Sequence, residues 1–232
     1  MTGQRPSDLV MLPGAGSFAA VWNPLIAHLP DDIATHPIEH LAIDDLADLA
    51  EALLPDLPKR FALLGHSFGC HVALALFAAA PERVESLAIV ATGTGPETDE
   101  RMDMLLDRLE ADGYEAVIDG YHTSLLEAGH DEGMANEMTD GMIAYGADTF
   151  TANIRAARNR PDWSIPLAGI RVPSLFVAGS NDTNTPPAGV QALAGMAPGA
   201  RYQEIPDCTH AIPVERPAEL SRLLLDWWEE VD

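Results

Sequence analysis

The length and charge of the chain exclude several classes of protein. Its 232 residues suffice for one domain with a full core, and 47% hydrophobic with 21% charged residues is typical of a folded globular protein. Thirteen basic residues against 36 acidic ones give a formal charge of -23, so the surface should repel nucleic acids and anionic membranes, and we expect neither as a partner.

The first predicted element is a strand at residues 8–12 that runs into a glycine-rich loop. This loop has the sequence Pro13-Gly14-Ala15-Gly16-Ser17. A phosphate-binding loop would carry G-x-x-x-x-G-K-[ST] or G-x-G-x-x-G after the strand, and neither pattern is present. A helix is predicted over residues 22–29, a second strand within residues 32–40, and an amphipathic helix over residues 41–54 that ends before Pro55.

The next strand and helix enclose a serine between two glycines. Residues 61–64 are apolar, as in a buried parallel strand, and residues 72–80 are rich in alanine and leucine, as in a helix that packs on a sheet. The connecting sequence is Gly65-His66-Ser67-Phe68-Gly69. Glycines on both sides of Ser67 permit a sharp turn that exposes its hydroxyl at the amino end of the helix. The G-x-S-x-G pattern predicts a nucleophile elbow, with an ordinary β–α turn as the alternative.

One long segment interrupts the alternation of strands and helices that follows. Val84–Val90 is an apolar strand, but residues 96–162 read as several helices separated by glycines, with no convincing strand. We predict that this segment is a helical cap over one edge of the sheet, inserted into a core formed by residues 1–95 and 163–232. The core resumes with two strands, at residues 174–178 and 201–205, separated by a helix at 189–196, and ends with an amphipathic helix at 220–231.

The cap segment offers four candidates for a substrate pocket beneath it. For each of them an exposed or half-buried position without any role is the alternative. The candidates are Tyr114, Tyr121, His122 and His130.

Three residues fall at strand exits in an order that predicts a catalytic triad. Alternating strands and helices imply a parallel sheet, and ligands of such sheets bind beyond the carboxyl ends of the strands. Ser67, Asp182 and His210 all follow predicted strands. His210 would accept the Ser67 proton and return it to a leaving group, while Asp182 would orient the imidazole.

The residues leave alternatives for two members of this triad. Asp182 follows Asn181 in a pair typical of turns, and His210 could be a surface histidine. Asp207 is a second candidate acid, but it would share one loop with His210 and would have to fold back onto it. Asp182 would approach the imidazole from the neighbouring strand exit, so the sequence favours Asp182. Ahead of the triad, the glycine-rich loop after the first strand could present the backbone N–H of Ala15 to an oxyanion.

These motifs together resemble the α/β-hydrolase superfamily. The resemblance rests on the glycine-rich loop, the elbow, Asp182, His210 and the tail Glu215-Arg216-Pro217-Ala218-Glu219-Leu220, and residues 181–187 are similar to the acid loop of enol-lactonase-like members. It implies a three-layer α/β fold with a mostly parallel sheet. It also implies that Ser67 is the nucleophile, Asp182 the acid and His210 the base, with the backbone N–H groups of Ala15 and Phe68 as the oxyanion hole.

The chain departs from the pattern of this superfamily at four points. Pro13 replaces a usual histidine, Cys70 replaces a common glycine after the elbow, and Thr209 replaces the usual glycine before the histidine. Because about seven residues precede the first strand, we also expect the N-terminal antiparallel hairpin of the superfamily to be absent, which leaves about six strands.

The combined reading is a serine hydrolase that needs no cofactor and acts on a small carboxylic ester or lactone. A serine at the elbow argues against the dehalogenase and epoxide hydrolase chemistries, which the resemblance links to an aspartate. Thioester and carbon–carbon bond cleavage by the same triad remain open, as does a non-catalytic receptor that keeps the pocket for binding a small ligand. The sequence leaves the oligomeric state open.

Metal binding, disulfides and export are not expected. Cys70 and Cys208 have no metal-ligand spacing, and we expect both to be free thiols. Residues 1–8 lack the basic and apolar regions of a secretory signal, and no apolar run reaches the roughly 18 residues of a membrane span. We therefore expect a cytoplasmic protein.

Overall fold

A six-stranded parallel sheet forms the centre of the protein. The computed structural model describes residues 5–93, 96–127 and 129–231, and the predicted domain boundary at residue 95 lies outside these ranges. The strand order is β2-β1-β3-β4-β5-β6, and every strand pair within the described ranges is parallel. The strands are β1 (Asp8–Leu12), β2 (Ala34–Pro37), β3 (Phe61–His66), β4 (Val84–Val90), β5 (Ser174–Gly179) and β6 (Arg201–Ile205).

Helices cover both faces of this sheet, because its central strands are apolar on both sides. In β1, Val10 and Leu12 pack into one buried cluster, whereas Leu9 and Met11 pack into the other. Alternate side chains of a strand point to opposite faces, so two separate cores are needed. The α-helices outside residues 96–162 are α1 (Asn23–Ile26), α2 (Leu46–Leu53), α3 (Phe68–Ala79), α8 (Ser164–Gly169), α9 (Pro187–Ala194), α10 (Ile212–Glu215) and α11 (Pro217–Glu230).

The two cores differ in the helices that cover them. Leu49 of α2, Val72 of α3 and Val190 of α9 belong to the first cluster, while Leu25 of α1 and Trp228 of α11 belong to the second. The three-layer fold and the mostly parallel sheet predicted from the sequence are thereby confirmed.

In the described ranges, five helices lie between β4 and β5, and we call the first four the cap helices. They contact one another in the order of the chain, and α4 also packs on α7. The cap helices are α4 (Pro96–Asp112), α5 (Tyr114–Glu127), α6 (Glu132–Tyr145) and α7 (Ala147–Arg158).

Several predicted elements are shorter than expected. The helix predicted over residues 41–54 starts at Leu46, because the Asp45 carboxylate accepts hydrogen bonds from the N–H groups of Ala47 and Asp48 at 2.8 and 3.1 Å. The helix predicted over residues 22–29 is a 3₁₀ turn at Ala19–Trp22 followed by one α-helical turn. Neither difference moves a strand exit, so the positions of the site residues are unaffected.

Three histidines are buried within this fold and favour the neutral state. Burial lowers the pKa of His40 and of His66 to about 4, and that of His71 to about 3. His71 accepts a hydrogen bond from the Trp163 indole at 3.1 Å, which requires an unprotonated Nδ1. Within the same described ranges, no helix is long and apolar enough to cross a membrane, and both cysteines are free and buried.

The buried histidines predict that the protein loses stability in mild acid. Each has a pKa near 6.5 when unfolded, so between pH 6.5 and 4 the unfolded chain binds more protons than the native one, and stability falls as the pH falls. Between pH 7 and 5 each should cost about 2 kcal/mol of unfolding free energy. Urea unfolding of His71→Gln at both pH values should show a smaller loss than wild type by about this amount.

His28 provides the matched control, because its side chain is exposed. His28→Gln should lose as much stability between pH 7 and 5 as the wild-type protein does. An equal loss in His71→Gln would contradict the assignment of His71 as a neutral buried group.

Candidate active site

A strained turn between β3 and α3 presents Ser67 to solvent. The residue adopts φ 53° and ψ -118°, a conformation that few L-residues tolerate. A Cβ on Gly69 would overlap the carbonyl oxygen of Leu12, and a Cβ on Gly65 would lie 2.6 Å from the carbonyl oxygen of Gly69. Both glycines are therefore needed for the close approach of α3 to the strands, and the turn has the geometry of a nucleophile elbow.

The structure brings Ser67, His210 and Asp182 into one hydrogen-bonded chain. Ser67 Oγ lies 3.0 Å from His210 Nε2, and His210 Nδ1 lies 2.8 Å from Asp182 Oδ2. An imidazole that donates from Nδ1 to a carboxylate keeps Nε2 unprotonated, so Nε2 can accept the serine proton. The arrangement is competent for general-base activation of a hydroxyl.

The Asp182 carboxylate is held ionised within a turn of its own loop. Its side chain is fully buried, and Oδ1 accepts hydrogen bonds from the N–H groups of Asn184 and Thr185 at 2.8 and 2.9 Å. Thr185 Oγ1 donates to Oδ2 at 2.6 Å. Burial alone would raise the pKa of this carboxyl, but the hydrogen bonds and the charge from His210, with those from Thr185, outweigh it and lower the pKa of Asp182 to about 2.

The rival acid, Asp207, occupies a different position. Its side chain is exposed, its N–H donates to Ser180 Oγ at 3.0 Å, and its carbonyl oxygen accepts a hydrogen bond from Arg216 at 2.7 Å. Among the described residues, the carboxylate in contact with the His210 ring belongs to Asp182. The geometry thus favours Asp182 as the residue that orients the imidazole.

A buried glutamate holds the loop that carries His210. Glu215 accepts hydrogen bonds from the Thr209 N–H at 2.7 Å, from the Ala211 N–H at 3.1 Å and from the Thr209 hydroxyl. These donors lie on either side of His210. The backbone oxygen of His210 is also held, because His66 Nε2 donates to it at 2.8 Å. The imidazole is therefore fixed through its backbone as well as through Asp182.

The glycine-rich loop after β1 lies against the elbow. A Cβ on Gly14 would lie 3.5 Å from the Ser67 Cβ, and His40 Nε2 donates to the Pro13 carbonyl oxygen at 2.8 Å. Among the described residues, no acceptor is found for the N–H of Ala15 or of Phe68. Phe68 is the first residue of α3, where the N–H lacks a partner within the helix. Two backbone donors next to the nucleophile suit the stabilisation of an oxyanion.

The cap helices pack closely on this same loop. A Cβ on Gly16, which adopts φ +71°, would lie 2.5 Å from the Phe150 ring of α7 and 2.9 Å from the Met142 methyl group of α6. A Cβ on Gly141 of α6 would overlap the Phe18 ring. Two glycines thus let α6 and α7 approach the loop that carries the candidate oxyanion donor.

A cavity of about 410 Å³ lies between the cap helices and the triad. Ser67 and His210 line its floor, and its walls are mostly apolar. Its volume and lining are typical of a site for a small organic molecule. Side chains of the cap that line it include Arg101, Met102, Leu105, Arg108, Val117, Tyr121, Met142, Phe150 and Ile154.

Of the four pocket candidates in the cap, Tyr121 lines this cavity, whereas the side chains of the other three lie against partners elsewhere. The Tyr114 hydroxyl instead donates to the Met142 carbonyl oxygen, which turns the ring into the cap interior. His122 pairs with the Asn136 amide oxygen at 2.9 Å. His130 faces Glu215, with 3.6 Å between Nε2 and Oε1. Burial raises the pKa of Tyr121 to about 12, so its hydroxyl remains neutral.

The sequence analysis missed two basic residues of the cavity, Arg101 and Arg108. They lie seven residues apart on α4 and hence on one side of this helix. The spacing was visible in the sequence, but a charge on a helix more often indicates a face turned to solvent. Across the three described ranges, no cluster of three His, Cys, Asp or Glu side chains could hold a metal ion.

Comparison with known proteins identifies the family of this chain. Residues 9–223 match the sequence profile of the Alpha/beta hydrolase family. The chain belongs to this family. The superfamily resemblance noted in the sequence is thereby confirmed, and the match spans the sheet, the cap helices and the triad residues.

Named relatives of this α/β-hydrolase include two curated enzymes. Pimeloyl-[acyl-carrier protein] methyl ester esterase from Nitrosomonas europaea is 27% identical, covering 90% of each chain. The 2-hydroxy-6-oxononadienedioate/2-hydroxy-6-oxononatrienedioate hydrolase 2 from Pseudomonas putida is 28% identical over 97% of this chain and 88% of its own. The enol-lactonase of Burkholderia xenovorans superposes with a TM-score of 0.79 at 19% identity, covering 98% of this chain and 93% of the other. The last match supports the fold alone.

The contact between Asp182 and His210 predicts a large kinetic effect of a neutral replacement. Asp182→Asn preserves the shape of the side chain but favours the wrong imidazole tautomer. We expect kcat for any cleaved ester to fall by up to about 10⁴, by analogy with the serine protease triad. Steady-state kinetics at pH 7.5 measure this fall in kcat, and circular dichroism verifies that the variant is folded. Asp207→Asn is the matched control and should cost far less. The reverse order would overturn the assignment.

The contacts of Glu215 predict that its replacement lowers kcat with little effect on KM. Glu215→Gln removes a charged acceptor from three donors around His210, each worth about 1.5–3 kcal/mol when the acceptor is charged. We expect kcat to fall at least about tenfold while KM stays within about twofold, because the imidazole is displaced but the cavity is not. The exposed Glu82, changed to Gln, controls for charge loss. An unchanged kcat in folded Glu215→Gln would refute this positioning role.

Proposed function

We propose that the chain is a serine hydrolase that cleaves a small carboxylic ester or lactone through an acyl-enzyme. In this proposal residues 1–95 and 163–232 form the catalytic core, and residues 96–162 form a cap that shapes the substrate site. The single observation that carries the proposal is the hydrogen-bonded chain from Ser67 Oγ through His210 to Asp182 at the floor of an apolar cavity.

The first half of the reaction forms the acyl-enzyme. Ser67 Oγ attacks the carbonyl carbon of the substrate while His210 Nε2 takes the hydroxyl proton. The carbonyl oxygen becomes an oxyanion and accepts hydrogen bonds from the N–H groups of Ala15 and Phe68. Collapse of this intermediate breaks the bond to the leaving oxygen, which receives the proton from His210. The alcohol departs, or remains attached if the substrate is a lactone.

The second half repeats these steps with water. His210 removes a proton from a water molecule, and the hydroxide attacks the acyl carbon of the ester formed with Ser67. A second oxyanion forms in the same hole, and its collapse returns the proton to Ser67 Oγ and releases the acid. Asp182 stays ionised throughout, because its pKa near 2 lies far below neutral pH. It stabilises the imidazolium in each half.

The two curated relatives support the proposal at different levels. One is named for the hydrolysis of a methyl ester, and its identity of 27% extends over nine-tenths of both chains. The other is named as a hydrolase of 2-hydroxy-6-oxo dioates, which makes carbon–carbon bond cleavage the second candidate for the same triad. Ester cleavage is favoured here, because the activated serine and oxyanion donors suffice for it.

The proposal predicts covalent labelling of one serine. An active-site-directed fluorophosphonate should modify Ser67, because this serine lines the cavity, its hydroxyl lies 3.0 Å from His210 Nε2, and it is next to the proposed oxyanion donors. Peptide mapping by mass spectrometry locates the adduct. Ser67→Ala should abolish labelling and the release of p-nitrophenol from p-nitrophenyl butyrate, whereas Ser164→Ala, outside the cavity, should change neither.

Two results would contradict different parts of this proposal. Folded protein that fails to react with the fluorophosphonate would favour a receptor that only binds small ligands. An adduct on another serine would move the nucleophile away from the elbow. A panel of p-nitrophenyl esters, lactones and a vinylogous 1,5-diketone then separates ester, lactone and carbon–carbon cleavage.

A further inference from the structure

Two positively charged side chains line the cavity above Ser67, although the protein as a whole is strongly acidic. Arg101 and Arg108 are two of only 13 basic residues in a chain with 36 acidic ones, and both line this cavity. A net charge of -23 repels anions over most of the surface. Two guanidinium groups at one cavity therefore create a local site of opposite sign.

The position of Arg101 places it beside the triad. Its NH1 group donates to the Asn184 carbonyl oxygen at 2.8 Å, and the N–H of Asn184 in turn donates to the triad carboxylate of Asp182. Within the described side chains, no carboxylate oxygen lies within 4 Å of Arg101. Burial is the main influence and lowers the pKa of this guanidinium, while the charge of Asp182 raises it. The group still carries its charge at neutral pH.

A glycine makes room for Arg108. The ideal Cβ position of Gly120, on α5, lies 2.9 Å from the Arg108 NH2 group, so a larger residue there would displace the guanidinium. Arg108 Nε forms a long ion pair with Asp112 at 4.0 Å, and the Arg108 side chain is half exposed. Arg108 thus lies at the cavity with much of its hydrogen-bonding capacity unused.

Two other arginines, at the carboxyl end of α7 and just beyond it, form ion pairs within this part of the protein. Arg158 donates to Asp103 at 2.6 Å, and Arg160 lies 2.7 Å from Asp99. These ion pairs join α7 to α4 and neutralise each charge. Neither arginine lines the cavity. Arg101 and Arg108 differ because both line the cavity, and the one ion pair of Arg108 among the described residues is the long contact with Asp112.

We propose that the substrate carries an anionic group, such as a carboxylate, which Arg101 binds inside the cavity and Arg108 attracts at its entrance. This inference rests on the proposed ester or lactone hydrolysis. A guanidinium offers paired N–H donors that match a carboxylate, and the apolar wall formed by Met102, Leu105, Val117, Met142 and Phe150 suits a short hydrocarbon segment. The substrate thus has an ester or lactone carbonyl at one end and an anion at the other.

Isosteric ester pairs test this specificity. Monomethyl adipate and methyl 6-methylheptanoate differ only in a carboxylate replacing an isopropyl group on the acyl side. The pair of 3-(butanoyloxy)propanoate and isopentyl butanoate does the same on the alcohol side. We expect kcat/KM to favour the anionic member of one pair by about tenfold to a hundredfold, the range for one hydrogen bond to a charged group. The pair that responds assigns the side.

Variants of the two arginines separate charge recognition from structure. Arg101→Gln should reduce the preference for the anionic ester at least about tenfold through KM, and Arg101→Lys should retain part of it. Arg108→Gln should reduce the preference less and weaken its dependence on salt. Arg222→Gln, an exposed arginine that faces Asp226 on α11, is the control and should preserve the preference.

The possible results separate this inference from the function on which it rests. Equal kcat/KM within both pairs, in an enzyme that cleaves the neutral esters, would overturn the anion site and leave the hydrolase intact. If Arg101→Gln lowers kcat/KM equally for both members of a pair, Arg101 has a structural role through its hydrogen bond to Asn184 and does not bind the anion. No cleavage of any ester, together with no fluorophosphonate labelling, would overturn both proposals.

Discussion

The close approach of α3 to the carboxyl ends of β1 and β3 is the constraint on which the whole site depends. Gly65 and Gly69 allow it, and Ser67 adopts a strained backbone conformation in the turn between β3 and α3. The same approach puts the first N–H of α3 beside the loop that follows β1. The candidate nucleophile and the candidate oxyanion donors are thus positioned by the same packing contact.

Two neutral histidines hold the loops around the candidate site through hydrogen bonds to backbone carbonyl groups. His40 holds the loop after β1 through the Pro13 carbonyl, and His66 holds the loop of His210 through its backbone oxygen. Both donate from Nε2, and their burial keeps them uncharged near neutral pH. A protonated imidazole at either position would bring an uncompensated charge into the interior. His40 and His66 therefore hold these two loops without adding a charge near Asp182 and His210.

Features formed by contiguous residues could be predicted from the sequence, whereas features that depend on how distant helices pack could not. The elbow was legible because its glycines, strand and helix are contiguous, and the order of strand exits placed Asp182 and His210 together without knowledge of side-chain packing. The start of α2 could have been read from Asp45, a standard capping residue. The cavity lining was less accessible, because the side of a cap helix that faces the substrate depends on how four helices pack. Tyr114 and His130 illustrate this, since each turned to a partner within the protein.

The glycine contacts restrict amino-acid substitution more in α6 and α7 than in α4 and α5. Gly141 against Phe18, and Gly16 against Phe150, fit α6 and α7 directly onto the loop that carries the candidate oxyanion donor. A larger side chain at either glycine would push that donor aside together with the cap. The cavity-facing positions of α4 and α5 carry the two arginines and Tyr121 instead. Substitutions at the cavity-facing positions of α4 and α5 can therefore reshape the pocket without displacing the loop after β1.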